Sequence, residues 1–250
     1  MARHLARLRR GGRARRADAR AQRAHDPKLR LITETTVRYL FATSWLPSDP
    51  KEPLVGVPGG STTGMDTGGN LLHIAMWSLR RQGLMEFEQL SAVEDEPITV
   101  LGGQSFSRFK LLDESARLPG LEGAVLRAAA SVKPAEGWLD KGIERLSHED
   151  DHGVRRLVSA LELDNRSPWG SVCSHCFSEA AGAGLVEVKG RLFKKIVISD
   201  PAGVESLRER NDELRAARGA YLEAEPDLTG AVASDCLKAV WTSYAPSLGD

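Results

Sequence analysis

One plan is written twice in this chain. "HIAMWSLRRQGLMEF" (73–87) and "HCFSEAAGAGLVEV" (175–188) each run from a helix-forming stretch through Gly-Leu into a strand-like segment. Glycine takes the left-handed conformation that ends a helix and reverses the chain, with no Cβ to obstruct it. The leucine that follows is then placed to tuck beneath the helix. Each copy therefore predicts a helix stopped at Gly83 or Gly184 and a β-hairpin beyond it. The same unit forms the last helix and wing of a winged-helix domain.

In the first copy, Leu72, Ala75, Met76 and Leu79 share one face of a helix expected over 70–84. "MEFEQL" and "PITVL" read as its paired strands around "SAVEDE". In the second copy, Ser167 as N-cap and Pro168 in the first turn open a helix. Its apolar stripe is Val172, Cys176, Phe177 and Ala180. The hairpin beyond it, "GLVEVKGRLFKKIVI" (184–198), carries Lys189, Arg191, Lys194 and Lys195. Alternation places Phe193, Lys195 and Val197 on one face, and Leu192, Lys194, Ile196 and Ile198 on the other.

Helical spacing of apolar residues recurs over 33–46, 120–132, 135–146 and 153–163. It recurs again over 199–224, which is highly charged, and over 227–244, which is mostly apolar and predicted to be central to the core. Residues 47–69, rich in Pro, Gly, Ser and Thr, read as a long loop. They contain no Gly-Lys-Ser/Thr, so they are not a nucleotide P-loop. The expected fold is mainly α: a single helical domain over 28–250 with two winged-helix-like helix-to-β-hairpin units and a protruding basic hairpin.

A net charge of zero hides an asymmetry. Residues 1–30 hold eleven Lys or Arg against Asp18 and Asp26, so the remainder is net acidic. With almost no apolar content, residues 1–27 are expected to form a basic, disordered tail. Such a tail either contacts phosphates of nucleic acid or lipid headgroups or is simply solvated. No apolar run approaches the roughly 20 residues that a membrane-spanning helix needs, and no apolar core follows the basic start as in a secretory signal. Three cysteines are too few for a disulfide framework, which makes a reducing cytoplasm the expected location.

Two motifs invite chemistry. "HEDDH" (148–152) matches the H-E-x-x-H metalloprotease pattern, but Asp150 and Asp151 fill its middle, Gly153 follows it and apolar flanks are missing. It reads as an exposed turn. Cys173 and Cys176 with His148 and His152 have the residue types of a Cys₂His₂ zinc site. The cysteine pair lies within an amphipathic helix, however, where Cys behaves as a small hydrophobe. No metal and no cofactor is expected. There is no nucleophile elbow and no Gly-x-Gly-x-x-Gly after a strand, so nothing compels an enzymatic reading. Of the five tryptophans most are expected in the core, and Trp169, near a helix start, is the candidate exposed aromatic.

The order of elements resembles the Golgi phosphoprotein 3-like family over roughly residues 30–245. The resemblance is carried by "GGNLLHIAMWSLRRQGLMEFE", "GWLDKGIERL", "VCSHCFSEAAGAGLVEVKGRLFKKIVISDP" and, most closely, "EAEPDLTGAVASDCLKAV". It implies a non-enzymatic, mainly helical domain with protruding hairpins. It further implies a peripheral membrane protein that binds phosphatidylinositol phosphate and meets the membrane through a hairpin, here 186–198. The family's headgroup arginines fall at about Gly170 and Cys173, so that pocket does not carry over. Arg166 and Trp169 are the nearby substitutes.

Three readings follow. The first is a non-catalytic, cytoplasmic protein, peripheral at the inner membrane face, whose Lys189, Arg191, Lys194, Lys195, Arg166 and Trp169 contact anionic lipid. The second is a winged-helix-like nucleic-acid regulator. It is disfavoured because the helix over 170–183 holds no Arg or Lys and the chain beyond the tail is net acidic. The third is a scaffold for a protein partner.

Overall fold

The computed structural model describes residues 27–41, 62–90, 106–132, 153–189 and 195–244. Among these residues the chain is mainly helical with two small antiparallel strand pairs. Its helices are α1 (Pro27–Arg30), α2 (Glu34–Leu40), α3 (Thr62–Arg81), α4 (Gly120–Ser131), α5 (Val154–Ser159), α6 (Pro168–Gly182), α7 (Pro201–Ser206), α8 (Arg208–Ala224) and α9 (Pro226–Thr242). Strand β1 (Met85–Leu90) pairs with β2 (Phe106–Leu111), and β3 (Val186–Lys189) with β4 (Lys195–Ile198).

The doubled plan is real in the backbone. Gly83 and Gly184 adopt φ of 71° and 75°. The Gly83 amide donates to the Arg80 carbonyl and the Leu84 amide to the Leu79 carbonyl, each at 2.9 Å. Gly184 donates to Ala181 and Leu185 to Ala180, again at 2.9 Å. This pair of bonds is the Schellman helix stop. Both hairpins also close alike: the amide of Leu112 donates to the Leu84 carbonyl, and that of Ser199 to the Leu185 carbonyl.

A continuous apolar core runs from Leu29 to Val240. Leu72, Ala75, Met76 and Leu79 of α3 face it, as their spacing predicts, and Val232, Cys236, Ala239 and Val240 bring α9 against them. A glycine pair sets this approach. A Cβ on Gly68 would stand 3.0 Å from the Cα of Trp169, and one on Gly69 3.0 Å from the Cα of Leu237. Only glycine lets α6 and α9 lie this close to α3.

Polar groups fix α2 in place. Its first turn leaves unpaired amides, which carboxylates from two other helices take up. Glu179 of α6 accepts from the Thr33 amide and hydroxyl, each at 2.7 Å, and from the Thr36 hydroxyl at 2.6 Å. Glu122 of α4 accepts from the Thr35 amide at 2.8 Å and its hydroxyl at 2.7 Å. Burial pushes the Glu122 carboxyl upward, against the hydrogen bonds from Thr35. Acidic groups at a helix N-terminus also complement its macrodipole.

Several boundaries differ from the sequence reading. Helix α3 begins at Thr62, so the end of the expected 47–69 loop is helical, and residues 47–61 lie outside the described residues. The partner of β1 is "FSRFKL", not "PITVL", which also lies outside them. Helix α5 stops at Ser159, because Glu162 takes a left-handed φ of 51° just beyond it. The charged segment over 199–224 is two helices. Leu207 bonds back to Val204 in a tight turn, and Asn211 restarts the ladder on the Leu207 carbonyl. The helix over 135–146 lies outside the described residues, as does "HEDDH" apart from the Gly153 that follows it.

Candidate functional site

The hairpin β3–β4 leaves the C-terminal end of α6 through the Gly184 turn. Its register pairs Val186 with Ile198, Glu187 with Val197, Val188 with Ile196 and Lys189 with Lys195. Paired residues of an antiparallel ladder share a face. One face is therefore apolar: Val186 and Ile196 are buried, Ile198 packs on the core and Val188 is 48% exposed. The other face holds Glu187, Lys189, Val197 and the Lys195 position. Lys189 is exposed and its ammonium lies 2.9 Å from Glu187. Arg191 and Lys194 lie outside the described residues.

The remaining residues of the expected site do not join this hairpin. Arg166 is exposed in the turn before α6, where its amide donates to Asp164 Oδ1 at 2.9 Å. Fifteen helical residues, about 22 Å of α6, separate that turn from the Gly184 end. Trp169 corrects the expectation of an exposed aromatic, being only 2% exposed. The Gly68 backbone makes room for it, and its ring meets Tyr244 at 5.2 Å between centroids. Its position near a helix start misled the sequence reading, because the first turn of α6 faces inward. The exposed tryptophan among those described is Trp241.

The cysteines follow the apolar reading. Cys173 and Cys176 are both buried on α6, and Cys236 is buried on α9. Burial pushes the Cys173 thiol up to about 12 and raises the Cys176 and Cys236 thiols as well. Their burial on apolar stripes fits the small-hydrophobe reading, and His148 and His152 lie outside the described residues. No cluster of three or more metal-ligating residues occurs among the described residues.

The two arginines that end α3 are consumed by the fold. Arg80 makes a two-pronged contact to Glu225, at 2.7 and 3.0 Å, and stacks over Tyr221. Arg81 pairs with the buried Glu34 and lies over Trp77. A groove of about 630 Å³ opens beside the first hairpin, lined by residues of both charge signs, Arg80, Glu86, Glu88, Arg108 and Lys110 among them.

Sequence reasoning missed the buried Glu122 and Asp235 and the partly buried Glu179, the carboxylates that position the elements. Their partners lie 80 to 146 residues away in sequence, so no local spacing announces them. No described helix is long and apolar enough to cross a membrane. Comparison of the chain with protein-family models, with curated proteins and with solved structures gives no match.

Proposed function

We propose that this is a non-catalytic peripheral protein, of the kind the Golgi phosphoprotein 3-like resemblance implies, that contacts anionic lipid headgroups through β3–β4. One observation carries the reading. The exposed face of this hairpin sets Lys189 directly opposite Lys195, where the first hairpin sets Glu86 opposite Lys110 and Glu88 opposite Arg108. Like charges directly opposed weaken a ladder, and opposed charges of unlike sign support it. Such an arrangement on the less buried hairpin suits a surface that meets anions, and Glu187 offsets only one of its charges. The exposed pair of Lys189 with Glu187 is weak and gives way readily to an external anion. Each cation near an anionic surface contributes about 1 kcal/mol, so binding is reversible and salt-sensitive. Val188, half exposed on the opposite face, adds a modest apolar contact.

The engagement of Arg80 and Arg81 within the fold gives the nucleic-acid reading no added support. The lipid reading is tested by co-sedimentation with neutral and anionic phospholipid vesicles at matched ionic strength. The wild type is expected to pellet with anionic vesicles only. Reversing both lysines, Lys189→Glu with Lys195→Glu, is expected to weaken binding by about tenfold or more. A wild type that ignores anionic vesicles, or a double variant that binds as well, ends the proposal.

A further inference from the structure

A second concentration of positive charge lies away from the hairpin, between α2, α3 and α8. Asn211, Arg215 and Arg218 recur at helical spacing along one stripe of α8. Arg38 of α2 reaches this stripe and donates from Nη1 to Asn211 Oδ1 at 2.6 Å. Arg218 reaches His73 of α3, with Nη2 standing 3.1 Å from Nδ1. A guanidinium only donates, so Nδ1 must accept. Burial and the neighbouring Arg218 hold the His73 imidazole neutral, down to about 4. The single proton of that neutral ring therefore sits on Nε2.

Three buried polar atoms of this cluster have no partner among the described residues: Arg38 Nε, Arg218 Nε and His73 Nε2. All three are donors. What the cluster lacks is an acceptor, and buried donors without one are rare in folded proteins. The geometry of Arg38 is specific about where the acceptor belongs. With Nη1 committed to Asn211, the edge formed by Nε and Nη2 is left for a two-pronged contact with an oxyanion. The charge points the same way. Arg215 and Arg218 both press on Arg38, and Asp212 is the one carboxylate that eases it. Three guanidiniums against one carboxylate leave an excess of two positive charges, which a phosphate monoester matches near neutral pH. Arg38 and Arg218 are partly exposed and Arg215 is exposed, so the cluster is reachable from solvent.

We propose that Arg38, Arg215 and Arg218, with His73 beneath them, form a binding site for a phosphate-monoester group. The site is independent of the hairpin: it is built from α2, α3 and α8 and shares no residue with β3–β4. Sequence reading passed over it because Arg38 lies more than 170 residues before Asn211 and α8 reads as a solvated, charged helix.

The test is calorimetric titration of the full chain with inorganic phosphate, with sodium chloride at equal ionic strength as the control. Vesicles carrying phosphatidic acid form a separate arm, run on the Lys189→Glu, Lys195→Glu protein so that the hairpin does not contribute. Saturable binding of free phosphate, accompanied by a rise in melting temperature, is expected. Binding to the vesicles with no response to free phosphate would assign the same group to a lipid headgroup. Arg38→Gln and Arg218→Gln should each weaken binding about tenfold, the loss of one charge-assisted contact. Arg38→Lys should weaken it too, since a point charge cannot make the two-pronged contact. Arg215→Gln alters an exposed residue, so it serves if a buried variant fails to fold, and it should also weaken binding. Lys189→Glu should leave phosphate affinity unchanged. No saturable response in either arm overturns the site, as does undiminished affinity in folded Arg38→Gln, Arg218→Gln and Arg215→Gln proteins.

Discussion

The two helix-to-hairpin units share a turn down to its hydrogen bonds, yet the molecule treats their hairpins differently. The first is built into the core. Met85, Phe87, Ser107 and Phe109 are buried, and both of its strands pack on α9. Asp235 of α9, itself 1% exposed, clamps β2: it accepts from the Ser107 amide and hydroxyl, each at 2.8 Å, and from Arg155 Nε at 2.9 Å. The second hairpin has four register pairs instead of six and buries Val186 and Ile196 near its base, and β3 packs chiefly on α6. No side chain among the described residues clamps β4 as Asp235 clamps β2. One repeated local instruction thus yields a structural hairpin and a presented one. The difference comes from what the rest of the chain brings against each.

The largest test of that contrast is Asp235→Ala. It leaves a buried amide and hydroxyl without an acceptor and removes one of the partners of Arg155. A cost of about 3 kcal/mol is expected, at the low end for breaking a buried pair because Arg155 is partly exposed. The matching change in the second unit, Glu187→Ala, should move stability by less than about 0.5 kcal/mol. Denaturant unfolding midpoints at constant m-value measure both. Equal costs would mean that the two hairpins are held alike.

Acid is expected to weaken the helix of the first unit almost as much. The unfolded His73 takes up its proton near 6.5, but the folded one does so only near 4. Between those values the unfolded chain holds more protons, so stability falls as pH falls. The full loss across the window is about 3 kcal/mol. His175 on α6 is shifted in the same direction, by burial and then by Arg127, but it is only partly buried. His73→Gln should therefore flatten the slope between pH 6.5 and 4 more than His175→Gln does. The reverse order would place the acid-sensitive helix in the second unit.

What was legible in the sequence divides along the same line. Gly83 and Gly184 were legible because a left-handed helix stop needs glycine and says so locally. Gly68 and Gly69 were misread as loop, because a glycine chosen for close helix packing looks the same in sequence as one chosen for a turn. The sequence reading pairs β1 with "PITVL", which lies outside the described residues. The actual β2 is selected by Ser107 meeting Asp235, 128 residues onward, and by Phe109 facing the core. Of the expected site, Lys189 was legible as an exposed cation, since alternation in a strand is local. The burial of Trp169 was not, because it depends on α3 presenting Gly68 from a distant part of the chain.

If the turns are one motif, breaking either should cost the same. Neither Gly83 nor Gly184 has any heavy atom within 4 Å of where a Cβ would stand, so packing plays no part. Gly83→Ala and Gly184→Ala should each cost about 1–2 kcal/mol, the penalty of a left-handed L-residue. The kinetic or functional consequence should still differ, since a loosened first turn disturbs the core and a loosened second turn disturbs only the presented hairpin. Unequal stability costs would show that the shared hydrogen bonds conceal different strain.

The smallest stability effect should fall where the contrast predicts an effect on binding instead. Val188→Ser removes a half-exposed side chain from the second hairpin, whereas Phe87→Ser removes a buried one from the inward face of the first. Val188→Ser should stay within about 0.5 kcal/mol of the wild type, the usual range for an exposed site. It removes apolar area from the hairpin face opposite Lys189, so retention on anionic vesicles should fall modestly while binding to neutral vesicles stays absent. Phe87→Ser should do the opposite: it should cost about 3 kcal/mol as a buried aromatic truncation, with vesicle binding unchanged in the protein that remains folded. Each variant thus reads one unit's role through the observable the other leaves untouched. A Val188→Ser protein that unfolds early would place the second hairpin in the core alongside the first.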